Sequence, residues 1–183
     1  MIRDLDDARR AEHRGVPMEF VFFWGAESRG GVGAECLSQW YPSPFTVEGT
    51  TYATAEHFMM AGKARLFGDE EAARRVVAAR TPAEAKNIGR QVRGFDSAVW
   101  DAHRFGIVVA GNVAKFAADP ALLAYLLGTG DRVLVEASPL NRIWGIGLRR
   151  DDERARTPST WRGLNLLGFA LMTARDELGS ARA

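Results

Sequence analysis

The sequence has one cysteine, Cys36, which excludes an internal disulfide. Its three histidines, His13, His57 and His103, are scattered without zinc-ligand spacing. Neither a metal nor a cofactor is therefore expected. Charges of the two signs nearly cancel, at net +1, which excludes a protein holding nucleic acid chiefly through a basic surface. A small ligand, or a single base presented from a strand, stays open. No apolar run reaches membrane-spanning length. The segment up to Pro17 is rich in Arg and Asp and has no apolar stretch of a secretory signal. There is no internal repeat. These absences point to a soluble, cytoplasmic domain with no membrane and no obligate protein partner.

What is present is ordinary for a globular chain: 183 residues, 46% hydrophobic and 26% charged, enough for one domain with a substantial core. Residues 1–17 read as a charged, poorly fixed arm with helical character around Asp6–His13, and residues 18–183 as the domain. Glu19–Trp24 reads as a short buried strand. Gly25–Gly33 reads as a flexible loop, since it lacks the Gly-Lys-Ser/Thr ending of a phosphate loop. Phe45–Val47 and Thr50–Tyr52 alternate around Glu48-Gly49, a small hairpin. Asp69 caps a helix to about Arg80. Thr81-Pro82-Ala83-Glu84 is a capping box with proline at the first helical position, opening a segment that Gly94 ends. Asp96 caps a long helix over Ser97–Ala117, and Asp119-Pro120 opens another that Gly128 stops. Arg132–Glu136 reads as a strand and Arg149–Thr160 as a mobile surface loop. The last helix carries Leu167, Leu171, Ala174 and Leu178 on one stripe, with Gly179 as its stop. The fold class is mainly α with minor β: a compact single domain with a small hairpin and short strands.

The stretch Thr54–Ala64 organises the rest. Thr54 is a good N-cap, and the Ala, Met and Lys residues behind it are strong helix formers. Glu56 and Lys63 stand seven residues apart, so both leave one face of the helix, about 10 Å apart along its axis. That gap is too long for an i,i+4 salt bridge and suits a carboxylate and an ammonium flanking a sugar-sized ligand. Two solvated charges on an outer face fit the periodicity as well.

Two irregular loops bear on the same question. In Leu37–Phe45 two prolines bar regular helix and three aromatics accompany Gln39, so the loop is either a core plug or a stacking wall for a planar ring. In Ser138–Leu148, Gly145 and Gly147 suit close backbone approach or positive φ rather than a phosphate cradle.

Five stretches together resemble the YbiA-like, or NADAR, family. They are Leu37 to Phe45, Thr54-Ala55-Glu56-His57 through Lys63, Ala114-Lys115-Phe116, Ser138-Pro139 through Gly147, and Gly163 to Gly168. The resemblance runs from about Phe20 to Leu178 with the motifs in order. It implies a compact, mostly helical domain acting on N-glycosidic bonds. The activities it implies are hydrolysis of ribosylamine-type intermediates early in riboflavin synthesis and removal of ADP-ribose from guanine. Binding of NAD or ADP-ribose without catalysis is a further implied role. Position by position, the family's glutamate falls on Glu56, its helix lysine on Lys63, its tryptophan on Trp100, and its Trp-Gly-x-Gly element on Trp144-Gly145-Ile146-Gly147. One position departs: the usual aspartate is Asn141, and an amide cannot accept a proton or carry negative charge.

The expected function is thus hydrolysis of a C1′–N bond between a (phospho)ribosyl group and a heterocyclic or pyrimidine-type amine. The alternatives are ADP-ribose removal from guanine, as a base or in DNA, and a non-catalytic ADP-ribose or NAD-binding module. Such hydrolysis needs a proton for the departing nitrogen and stabilisation of charge at C1′. Glu56 is the expected acid/base. Lys63 either attacks C1′ or pairs with a phosphate. Asn141 orients ribose hydroxyls or water in place of the aspartate. Trp100 and Trp144, and after them Trp40, stack on the base, worth about 1–3 kcal/mol per base, unless they are core. Gln39 and Asn165 read base or ribose edges, or else serve as loop and cap residues. Lys115 and Arg104 face phosphates or solvent.

Overall fold

Seven α-helices and four short strands make up the regular structure among the described residues, so the chain is mainly α with minor β. The computed structural model describes residues 2–27 and 30–181. Ser28 and Arg29, within the glycine-rich loop expected over Gly25–Gly33, lie outside them. The backbone groups into two units, residues Gln39–Pro120 and the remainder.

In the Gln39–Pro120 unit, β2 (Phe45–Val47) pairs antiparallel with β3 (Thr50–Tyr52). Their turn residues Glu48 and Gly49 have φ 49° and 77°, as the two-residue hairpin turn needs. Phe45, Tyr52 and Phe58 pack together, the Tyr52–Phe58 pair edge to face, and plug this corner. Four capped helices follow. They are α2 (Ala55–Leu66, cap Thr54), α3 (Glu70–Val77, cap Asp69), α4 (Pro82–Gly89, cap Thr81) and α5 (Ser97–Ala118, cap Asp96). α2 lies against α3, α4 and α5. Glycines let it: a Cβ on Gly111 would stand 2.7 Å from the Phe58 ring, one on Gly62 2.9 Å from Ile107, and one on Gly89 2.2 Å from Met60 Sδ. α4 stops at Gly89 with Arg90 as its C-cap, and the segment it opens closes at Gly94, whose φ is 69°.

The other unit holds α1 (Leu5–His13), β1 (Phe20–Phe23), α6 (Pro120–Gly128, whose first residue falls in the neighbouring unit), β4 (Val133–Glu136) and α7 (Leu166–Ser180). β1 and β4 run parallel, Phe20 opposite Val133 and Phe23 opposite Glu136. The expected buried strand is only half buried: Phe23 is inside but Trp24 is 59% exposed. α7 packs on β4 through Gly168, whose added Cβ would meet the Leu134 carbonyl oxygen at 2.0 Å. Two expectations of looseness give way here. The Arg149–Thr160 excursion folds into two 3-10 turns, Glu153–Arg156 and Pro158–Thr160, with Ala155 and Pro158 buried and the Trp161 indole N–H donating to the Ala155 carbonyl at 2.9 Å. The N-terminal arm is a capped helix whose Glu12 carboxylate accepts from Ser159 N–H and Oγ–H, both at 2.8 Å.

Candidate active site

Glu56 sits in the first turn of α2, where the Thr54 cap and the Gln39 carbonyl, which accepts the Glu56 N–H at 2.9 Å, fix the helix start. Its side chain is 4% exposed. Burial pushes its pKa from the ordinary 4.5 up to about 7, against the fields of Lys86 and Arg90 and a hydrogen bond from the Trp40 indole N–H. The helix N-terminus also favours the charged form; burial outweighs them all. His57 beside it is structural. Its Nε2–H donates to the Ala79 carbonyl at 3.2 Å and its Nδ1 accepts from the Thr54 hydroxyl at 2.8 Å. Burial lowers its pKa and keeps it neutral.

Lys63, two turns on, turns to the same neighbour, α4. Its ammonium donates to the Gly89 carbonyl at 2.8 Å and lies 4.2 Å from the Phe95 ring centroid and 5.6 Å from that of Trp100. Partial burial lowers its pKa. The carbonyl at the end of α4 and the two aromatic faces favour the ammonium in return. Phe95 and Trp40, 48% and 38% exposed, present ring surface to solvent, so Trp40 is not a core plug. Gln39 is buried and its Oε1 accepts from Asn112 Nδ2 at 3.0 Å. Arg104 pairs with Asp101 at 2.7 Å, and Lys115 is buried near the Tyr41 and Phe116 rings. A surface cavity of about 650 Å³ between α3 and α4, with Arg75, Thr81 and Glu84 on its wall, takes in none of the candidate catalytic or substrate-binding residues.

The second irregular loop belongs to the other unit. Asn141 Oδ1 accepts the N–H groups of Ile143, at 3.2 Å, and Trp144, at 2.9 Å, which sets the turn. The first N–H groups around the start of α7 go to this loop: Asn165 to the Gly145 carbonyl, Leu166 to Ile143 and Leu167 to Trp144. With its donors taken, that helix start is no phosphate cradle. Gly145 is buried, and a Cβ there would stand 2.7 Å from the Glu136 carbonyl oxygen; Gly147 has φ 68°.

A family model described as the NADAR domain matches residues 22–179. The chain belongs to the NADAR family. It is similar to N-glycosidase R617 of Acanthamoeba polyphaga mimivirus, 41% identical over 87% of this chain and 96% of that one. It is 36% identical to the riboflavin biosynthesis protein PYRR of Zea mays over 70% of this chain, which spans 20% of that longer protein. The NMR structure of Escherichia coli YbiA matches with TM-score 0.72 at 26% identity, over 96% of this chain and 93% of that one.

Within this NADAR chain, Glu56, Lys63, Gln39, Trp40 and Trp100 gather in the Gln39–Pro120 unit, and Asn141, Trp144, Gly145 and Asn165 in the other. Asn165 departs from the expected role. It is fully buried at φ 54°, its Oδ1 accepting from Glu136 N–H at 3.0 Å and its Nδ2 donating to the Leu134 carbonyl at 2.9 Å. An amide bonded at both ends to β4 and fully buried positions α7 and is out of reach of a base. Gly145 likewise serves close packing. Lys86, Arg90 and Phe95 were not singled out by the sequence reading. The spacing of Lys86 and Arg90 behind the capping box was the available signal for the first two, since i,i+4 residues share a helix face.

Proposed function

We propose that this protein is an N-glycosidase that hydrolyses the C1′–N bond between a ribosyl or phosphoribosyl group and a heterocyclic or pyrimidine-type amine, of the kind met early in riboflavin synthesis. The names of R617 and PYRR support the reaction class and the substrate class respectively. The observation that carries the reading is Glu56, a buried carboxyl held near neutrality beside one indole N–H.

An amine leaves a sugar only if it takes a proton as the C1′–N bond breaks. A carboxyl that titrates near 7 is half loaded at neutral pH and gives up its proton readily. The bonding pair goes to nitrogen with the proton of Glu56. The carboxylate left behind faces positive charge growing at C1′, steadied by the Trp40 N–H. Water adds at C1′ and returns a proton to Glu56. Lys63 acts at the sugar, Trp100 and Trp144 stack on the base, and Asn141 orients water or ribose hydroxyls. Borohydride trapping with mass spectrometry separates a covalent from a contacting Lys63: only the first leaves an adduct on that residue.

The test is base release across pH 5–9. The working acid is protonated, so activity falls as pH rises through about 7. Glu56→Gln loses roughly a hundredfold to ten-thousandfold in rate. A profile flat through neutrality, or full activity in Glu56→Gln, removes the acid from this reading. Phosphoribosylamine-type substrates and ADP-ribosylated guanine, assayed in parallel, decide between the substrate classes.

A further inference from the structure

We infer that Lys86 and Arg90 form the phosphate-holding end of this site, taking the phosphate on the ribose C5′ oxygen of a phosphoribosyl or ADP-ribosyl substrate. The inference deepens the reading of Glu56 and rests on it. Lys86 is in the last turn of α4 and Arg90 is its C-cap, still in helical conformation with its N–H donating to the Lys86 carbonyl at 3.1 Å, so the two cations stand one turn apart on one face. That face is turned to the acid. Lys86 Nζ lies 5.7 Å from the centroid of the Trp40 ring, and the Trp40 N–H is on the Glu56 carboxyl. Neither cation has an ion pair among the described residues. Arg90 makes one long hydrogen bond, 3.4 Å to Asn87 Oδ1. Several other cations of this unit are engaged: Arg93 with Asp69 and Glu71, Arg104 with Asp101, Arg65 with the Tyr52 hydroxyl, Lys63 with Gly89. Two unpaired cations beside an exposed indole and a buried acid suit a ligand with a planar base, a sugar and an anionic group. Arginine offers the fork that phosphate oxygens match, and lysine a point charge.

A consequence separates this role from a structural one. Of the elements packed against α2, it is α4 with its C-cap whose charged groups, Lys86 and Arg90, bear on Glu56, and both favour its ionised form. A phosphate bound between them cancels part of that field. The carboxyl then stays protonated to higher pH in the complex than in the free protein, so binding the phosphate loads the acid.

Base release is measured on 5′-phosphorylated ribosyl, unphosphorylated ribosyl and ADP-ribosyl substrates with the wild type, Lys86→Met, Arg90→Met and the charge-keeping Lys86→Arg. Each methionine variant is expected to lower kcat/KM on the phosphorylated substrates roughly tenfold to a hundredfold. The preference for phosphate collapses with it, and Lys86→Arg retains most of that preference. In the wild type the alkaline limb of kcat lies above that of kcat/KM for phosphorylated substrates and coincides with it for the unphosphorylated one. A wild type indifferent to the phosphate, or methionine variants that keep its preference, overturns the inference while leaving the N-glycosidase reading intact. If no substrate releases its base, that reading fails and the subsite is decided by NMR. Inorganic phosphate must then shift the Trp40 indole N–H resonance of the wild type and leave that of the double methionine variant in place; any other result overturns it.

Discussion

Glu56→Gln should stabilise the protein, and only where the carboxyl would be ionised. The native pKa is raised, so the folded state favours the protonated form. Below 4.5 both folded and unfolded chains are protonated and the site costs nothing. Between 4.5 and about 7 the unfolded chain ionises while the native one does not, and stability falls as pH rises; above about 7 the full cost is present. A rise from 4.5 to about 7 at 1.36 kcal/mol per pKa unit amounts to about 3 kcal/mol. Glutamine has nearly the same shape and can still accept the Trp40 N–H, but it never ionises. Urea unfolding at pH 8.5 should therefore show the variant more stable by about 3 kcal/mol, a gain in Tm of roughly 6–12 °C for a chain of this size. At pH 4.5 the difference should shrink to under about half a kcal/mol. Every other titrating group cancels in the comparison. Equal gains at the two pH values, or a loss at pH 8.5, would mean that burial does not hold this carboxyl near neutrality. The acid assignment would then go with it.

Three further outcomes follow from neighbouring geometry. Gly89→Ala places a Cβ 2.2 Å from Met60 Sδ and should cost about 1–3 kcal/mol by chemical denaturation. Met60→Ala should relieve it, so that a double-mutant cycle is non-additive, whereas simple additivity would place the strain elsewhere. Asp69→Asn should lower the urea midpoint at neutral pH. The Arg93 side chain and N–H hold the Asp69 carboxyl below the usual carboxylate range, so its contribution is present above that range and fades as pH falls below it. A difference independent of pH would deny the charged pair. Asn141→Asp keeps both hydrogen bonds that set its turn and, on the proposed function, raises turnover in the base-release assay. An equal or lower rate would confine position 141 to shaping the loop.

What was legible in the sequence is what depends on a few consecutive residues. Thr54, Asp69, Thr81 and Asp96 each cap the helix they announce, because a side-chain oxygen three residues before an unpaired N–H is a local matter. Glu48-Gly49 makes its hairpin for the same reason. The features that were missed depend on a distant partner. Gly89 must lack a side chain because Met60 lies against it, which nothing within α4 announces. Arg149–Thr160 is polar enough to read as a free loop, and only its burial of Ala155 and its bonds to Glu12 and Trp161 show otherwise. The Asn165 amide is indistinguishable in sequence from a ligand-reading one until Leu134 and Glu136 are seen on either side of it. Lys86 and Arg90 look like solvated charges until Trp40 and Glu56 stand beneath them.

The contrast between Glu56 and Asp69 shows how the same unit makes one carboxylate chemical and the other structural. Both are buried, at 4% and 5% exposure, and both stand near the start of a helix. Asp69 meets a guanidinium at 2.7 Å and accepts the N–H groups of Arg93 and Ala72, so its charge is matched by contact and its pKa falls. Glu56 accepts from one neutral indole N–H and feels its two cations only through space, so burial prevails. Had Lys86 or Arg90 closed onto Glu56, the acid would be ionised at neutral pH and would hold no proton to give. Keeping those cations near the carboxyl but out of contact leaves it poised and leaves them free to hold an anion, so one arrangement on α4 serves both the acid and the phosphate.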